Sequence, residues 1–254
     1  MKAIISHAIL GFAGIWSVAS AAMVDAASIS IAASKDNTLY ETVDGSLSNG
    51  SGEWMFVGST QTATARRSLV AFDVAAVLPA NAVVQSASLQ LYMSKTISDA
   101  IDVSVHRVTS DWGEGASDAT GSEGGGAAAT TGDATWLHAF SPSVNWTAAG
   151  GDFVSTPSAT ASIGSIGSYV WASTPQLAAD VQAWLNNPSQ NYGWELIGGE
   201  AGSGNSKRFD SRQSSIEANR PALVVEYSVV PEPTAAVLGA IGLLAAAGRR
   251  RSQA

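Results

Sequence analysis

The chain has no cysteine, so disulfide frameworks and cysteine-based zinc sites are excluded. It is also poor in charge. Charged residues make up 13% of the 254, and 13 Lys+Arg stand against 21 Asp+Glu, for a formal charge of −8. That sign argues against a nucleic-acid binder that works by neutralising phosphates. Histidine is scarce at three residues, and none belongs to an H-E-x-x-H sequence; no G-x-S-x-G elbow and no Walker A loop occurs either. The 25 glycines follow no collagen-like period, and no repeat of solenoid or propeller length is present.

What remains is an apolar chain with a neutral polar surface. A hydrophobic content of 46% exceeds what a disordered chain carries. With so few charges, the surface falls to Ser, Thr, Asn, Gln and Gly, a composition common in extracellular β proteins. After Lys2, residues 4–18 form an apolar run followed by Ala19-Ser20-Ala21. This is the pattern of a secretory signal peptide, assigned to 1–26, and the run is shorter than the roughly 20 apolar residues of a membrane span.

At the other end stand Val230-Pro231-Glu232-Pro233-Thr234, an apolar stretch over 235–247, and Arg249-Arg250-Arg251. A rigid Pro-x-Pro segment, an apolar helix former and a basic stop, in that order, hold a chain in the inner membrane with the arginines on the cytoplasmic side. This end, 230–254, resembles the PEP-CTERM sorting signal of exported bacterial proteins. The resemblance implies transient membrane anchoring and an exosortase-type protease as processing partner. It also implies export to the cell envelope, cell surface or polysaccharide matrix of a Gram-negative-type bacterium. Without both ends, 9 basic residues face 20 acidic ones, a surface that repels nucleic acid and attracts calcium.

Between the ends the dominant signal is alternation. Leu89, Leu91 and Met93 share one face of a half-buried strand with Gln90 and Tyr92 on the other. Ile101, Val103 and Val105 repeat the pattern, which places His106 outward on a solvated face. Further apolar runs at 53–58, 67–72, 168–172, 192–197 and 222–227 are separated by Gly, Pro, Asn and Ser clusters. One helix over 175–186 interrupts them, capped by Thr174, opened by Pro175 and stopped by Asn186-Asn187-Pro188, with Leu177, Val181, Trp184 and Leu185 on one face. The fold class is therefore all-β: an antiparallel β-sandwich or jelly roll with one short helix, spanning 27–229. The Gly- and Ala-rich residues 113–131 read as a mobile loop.

Candidate binding residues come from aromatic and charged side chains near turns. Trp faces stack on sugar rings. Trp184 belongs to the helix stripe, and Trp54, Trp171 and Trp194 in strands read as core; Trp112, Trp136 and Trp146 flank loops and are the ligand candidates, with His138 beside Trp136. Arg66-Arg67 and the segment Lys207-Arg208-Phe209-Asp210-Ser211-Arg212 are unusual in a cation-poor chain. Arg208 and Arg212 either clamp an acidic sugar bidentately or pair with native carboxylates. Asp36, Asp73 and Asp210 are candidate calcium ligands, with surface solvation the competing reading and no EF-hand spacing present.

A second resemblance is carried by an ordered series. It runs Asp36-Asn37-Thr38-Leu39-Tyr40-Glu41, Arg66-Arg67-Ser68-Leu69-Val70-Ala71-Phe72-Asp73, Ala87-Ser88-Leu89-Gln90-Leu91-Tyr92 and Asp111-Trp112-Gly113-Glu114-Gly115. It continues with Ala134-Thr135-Trp136, Asn191-Tyr192-Gly193-Trp194, the 207–212 segment and Arg220-Pro221-Ala222-Leu223. The order is similar to that of the DNRLRE-type domain, a β-sandwich module of secreted proteins, some members of which act as carbohydrate-binding modules. The first piece departs from it in lacking the arginines of the family's name. The expectation is an exported, non-catalytic protein that binds extracellular polysaccharide, with calcium as a possible cofactor. A polysaccharide lyase or glycosidase and a purely structural or adhesive surface protein are the alternatives.

Overall fold

The computed structural model describes residues 26–229. The signal-peptide segment and the sorting residues Val230, Pro231, Glu232, Pro233, Arg249, Arg250 and Arg251 lie outside the described residues. In chain order the elements are β1 (Ala26–Tyr40), β2 (Leu47–Ser48), β3 (Trp54–Ser59), β4 (Ala65–Phe72), α1 (Val74–Val77), β5 (Ala82–Thr96), β6 (Ile101–Arg107), β7 (Ala127–Ala128) and β8 (His138–Phe140). They continue with β9 (Val144–Asn145), β10 (Ala159–Ile163), β11 (Gly167–Trp171), α2 (Pro175–Asn186), β12 (Trp194–Gly198), β13 (Lys207–Asp210) and β14 (Ala222–Val229). The all-β sandwich is as the alternation predicts, and every pairing is antiparallel.

β1 serves both sheets. Its first half, Ala26 to Ala32, pairs with β14, and after a register shift between Ala33 and Lys35 its second half pairs with β4. A bulge of this kind bends a strand without ending it. The first sheet is built on β5, which carries β14 and β13 along one edge and β11 along the other, with β3 beyond β13. The second sheet runs β1, β4, β12, β6, β10. Leu89, Leu91 and Met93 of β5 meet Val70, Phe72, Val103, Val105 and Trp194 of the second sheet in the main core.

α2 seals this core. Thr174 Oγ1 accepts the Leu177 N–H at 3.0 Å, Pro175 occupies the first turn, and Leu177, Val181, Trp184 and Leu185 are buried. Trp184 packs edge-on to Trp194 with ring centroids 4.5 Å apart. The helix also buries one acid. Asp180 pairs with Arg107 at 3.3 Å and accepts the Trp194 indole N–H at 2.9 Å, tying α2 to β6 and β12.

A third layer was not legible in the alternation. Leu39, Leu69 and Ala71 face away from the main core, and residues 108–158 cross over them, placing Trp112, Trp146, Val108, Ala134 and Ala139 in a second core. The stretch 113–131 is therefore a strap held by buried polar groups, and the mobile-loop expectation is corrected. Its glycines allow close approach. At Gly115, φ is +72° and a Cβ would fall 1.5 Å from Asp133 Oδ1; at Gly113 it would fall 1.7 Å from the Gly132 carbonyl.

The strap reverses two other expectations. His106 faces outward from β6 but is 8% exposed, because residues 152–155 cover it; its Nδ1 lies 2.9 Å from the Val154 carbonyl and its Nε2 lies 2.8 Å from Ser104 Oγ. Trp112 and Trp146, at 1% and 5% exposure, are core residues whose indole N–H groups donate to the Tyr192 and Thr135 carbonyls. A buried Trp removes roughly 150–250 Å² from water. Trp112→Ala is expected to lower unfolding free energy by about 3–5 kcal/mol, read by urea denaturation, with hydrogen-exchange protection lost first in 108–158.

Candidate functional site

Four segments converge beside β13. Phe56 of β3, the β3–β4 turn with Thr60, Gln61 and Thr62, the end of β5 with Lys95 and Ile97, and the strap at Ser122 and Gly124 enclose an open groove of about 390 Å³ with Ser206 and Arg208. Two cations line it and no carboxylate does. Arg208 sits over the Trp54 ring, its Cζ 3.9 Å from the centroid, and its Nε donates to Ser94 Oγ at 3.1 Å. No acceptor among the described residues holds its two terminal nitrogens. Burial pulls the Arg208 guanidinium below its usual pKa, against the opposing pull of Asp210, Glu123 and Glu53.

Both walls of the groove are fixed by buried charges. On the strap side, the Glu123 carboxylate accepts from Asn49 Nδ2 at 2.8 Å, the Trp54 N–H at 3.0 Å and the Glu53 N–H at 3.1 Å. Tyr40 donates its hydroxyl to the Glu123 carbonyl at 2.9 Å. On the β5 side, fully buried Lys207 donates to Thr96 Oγ1 at 2.6 Å and to the Ser98 and Asp99 carbonyls at 3.0 and 2.6 Å. Burial lowers the Lys207 pKa. Lys207 belongs to the cation-bearing segment singled out in the sequence, whereas Glu123 was not singled out; a lone acid within a glycine run was the available signal for it.

The other residues expected at a site divide. Trp54, expected in the core, is half-buried because its face meets Arg208 at the surface. Arg212 is taken by Glu114, which accepts from its Nε and, at 2.6 Å, its Nη2, so it follows the native-carboxylate alternative. Trp136 and His138 stay half-buried on the far side of the strap; Arg67 lies 5.0 Å from the Trp136 ring centroid, and His138 Nδ1 is 2.9 Å from Thr135 Oγ1.

The three calcium candidates carry local duties. Asp73 caps α1 by accepting the Ala76 N–H at 3.2 Å. Asp210 accepts from Ser214 Oγ at 3.2 Å and Asn219 Nδ2 at 3.0 Å. Asp36 is buried and accepts the Arg212 N–H at 2.7 Å. Among the described residues no group of three or more His, Asp or Glu side chains is gathered for a metal ion.

Two buried carboxyls shape the pH response. Burial pushes Asp36 up to about 7, with Glu114 adding to the rise and the Arg212 backbone bond opposing it. Glu195, fully buried on β12, is raised well above the usual range by burial, although Arg67 lies 3.6 Å away; Arg67 spends its Nε and Nη2 on Glu200 and its Nη1 on the Gly150 carbonyl. A carboxyl raised in the folded state binds a proton that the unfolded chain has released, so its effect is a loss of stability as pH climbs. For Asp36 that loss falls between about pH 4 and pH 7. Asp36→Asn is expected to flatten the stability profile over that window relative to the parent chain, read from urea midpoints at pH 4, 5.5 and 7. In comparisons with known proteins, no family model and no curated protein matches this chain.

Proposed function

We propose that the protein is an exported, non-catalytic cell-surface or matrix protein that binds polysaccharide along the Arg208 groove. The observation that carries the binding reading is a groove lined by two cations and no carboxylate on a chain of formal charge −8. Sugars present apolar ring faces and polar rims. Phe56 and Ile97 suit the former, while Gln61, Ser122 and the threonine hydroxyls suit the latter. Arg208, with terminal nitrogens open and its guanidinium seated over Trp54, is suited to take a sugar carboxylate in two parallel hydrogen bonds, and Lys95 adds a second positive charge.

The export reading rests on the sequence. It draws on the apolar run before Ala19-Ser20-Ala21 and on the PEP-CTERM-like end, for which an exosortase-type protease is the processing partner. The DNRLRE-like order of motifs supports a carbohydrate-binding module. Calcium, if used, would act by fixing loops, and chelation tests it.

A pull-down of full-length protein on acidic and neutral polysaccharides, with calcium and with chelator, tests the reading; release of reducing ends is followed in the same tubes. Saturable binding to an acidic polymer without new ends is expected. Loss of a charge-assisted pair is worth about 1.5–3 kcal/mol, so Arg208→Ala is expected to weaken that binding about ten- to hundredfold, and added salt to weaken it further. New reducing ends would make the protein an enzyme, and absence of saturable binding would leave a structural surface protein.

A further inference from the structure

A second depression lies beyond the groove. Glu41, Thr42, Val43, Thr64, Trp136 and Leu137 line about 370 Å³ of open space and share no residue with the groove. Its chemistry differs as well, since it contains a carboxylate and no cation.

Trp136 is fixed in place. Arg67 stacks on its ring at 5.0 Å, and Gly150, at φ +90°, comes so close that a Cβ there would sit 3.0 Å from Cη2 and Cζ2. Four of the other six described tryptophans donate their indole N–H to a protein acceptor, Trp112, Trp146, Trp171 and Trp194. The Trp136 indole N–H has no acceptor among the described residues and is not enclosed. Glu41 offers the matching vacancy: its Oε2 accepts the Ala65 N–H, while its Oε1 has no donor among the described residues. Beside them Val43 is fully exposed.

We infer that this depression is a second glycan subsite, which takes a neutral hexose or pentose unit. The apolar face of the sugar lies against Trp136, Leu137 and Val43, vicinal hydroxyls donate to Glu41, and a ring or hydroxyl oxygen accepts from the Trp136 indole. Aromatic surface with a few convergent polar groups is the usual make-up of such sites. The Glu41 carboxylate in the lining repels an acidic sugar. Paired with the groove, the subsite makes the domain two-headed, able to join an acidic to a neutral chain. It stands or falls separately from the groove.

The test is a titration of full-length protein with neutral gluco-, manno- and xylo-oligosaccharides, followed by NMR through the tryptophan indole N–H signals. The Trp136 signal is assigned by its loss in Trp136→Phe. At least one series is expected to shift that signal saturably, while the Trp54 indole beside Arg208 stays in place. Glu41→Gln, a rim change that keeps a side-chain oxygen to accept the Ala65 N–H, is expected to weaken binding about tenfold and keeps the test alive should Trp136→Phe fail to fold. A Trp136 signal unmoved by all three series, movement of Trp54 instead, or unchanged affinity in Glu41→Gln would overturn the inference.

Discussion

The second sheet carries apolar side chains on both of its faces, and much of the structure follows from having to cover the outer ones. Val70, Phe72 and Trp194 need the main core; Leu39, Leu69 and Ala71 on the reverse face need another. Left in water, those side chains and the two tryptophans that join them would forfeit roughly 25 cal/mol for each Å² exposed. Residues 108–158 meet that need.

The strap has almost no regular secondary structure, so its backbone groups find partners in irregular backbone bonds, such as Gly113 N–H to the Ala139 carbonyl, and in side chains. Asn37 is the clearest instance: its Nδ2 donates to the Glu114 carbonyl at 2.8 Å and its Oδ1 accepts from Ser48 Oγ and the Asn49 N–H. Asp133 accepts from the Thr130 and Ser117 N–H groups, and Asp152 from Thr147 and Ala148. Glu195 is the exception, an acid sealed beneath the Gly150 and Gly151 turn with neither oxygen hydrogen-bonded. A neutral carboxyl is the cheaper state there.

The same strap creates both candidate binding surfaces as its edges turn back to the sheets. Its Ser122–Gly124 portion forms one wall of the cationic groove, and its Trp136–Leu137 portion the floor of the second depression. Buried Glu123 and Lys207 hold the groove walls, and Arg67 and the close approach of Gly150 hold Trp136, which lowers the ordering cost of binding at both surfaces.

By itself the sequence determined the strand faces, the helix with its Thr174 cap, and the all-β class, because a period of two and a period of 3.6 are local properties of the chain. The paired fate of Arg208 and Arg212 was open in it, since two arginines four residues apart look alike until one meets Glu114 and the other meets Trp54. Only tertiary structure decided which tryptophans remain accessible. Trp112 and Trp136 both flank loops in the sequence, yet the strap carries the first onto Leu69 and leaves the second at its margin. Glycine abundance was equally ambiguous: it marks a flexible segment when nothing is near, and a close-packed one when a neighbour's oxygen sits where the Cβ would be, as at Gly113 and Gly115. That distinction depends on distances between residues far apart in the chain, which no local pattern encodes.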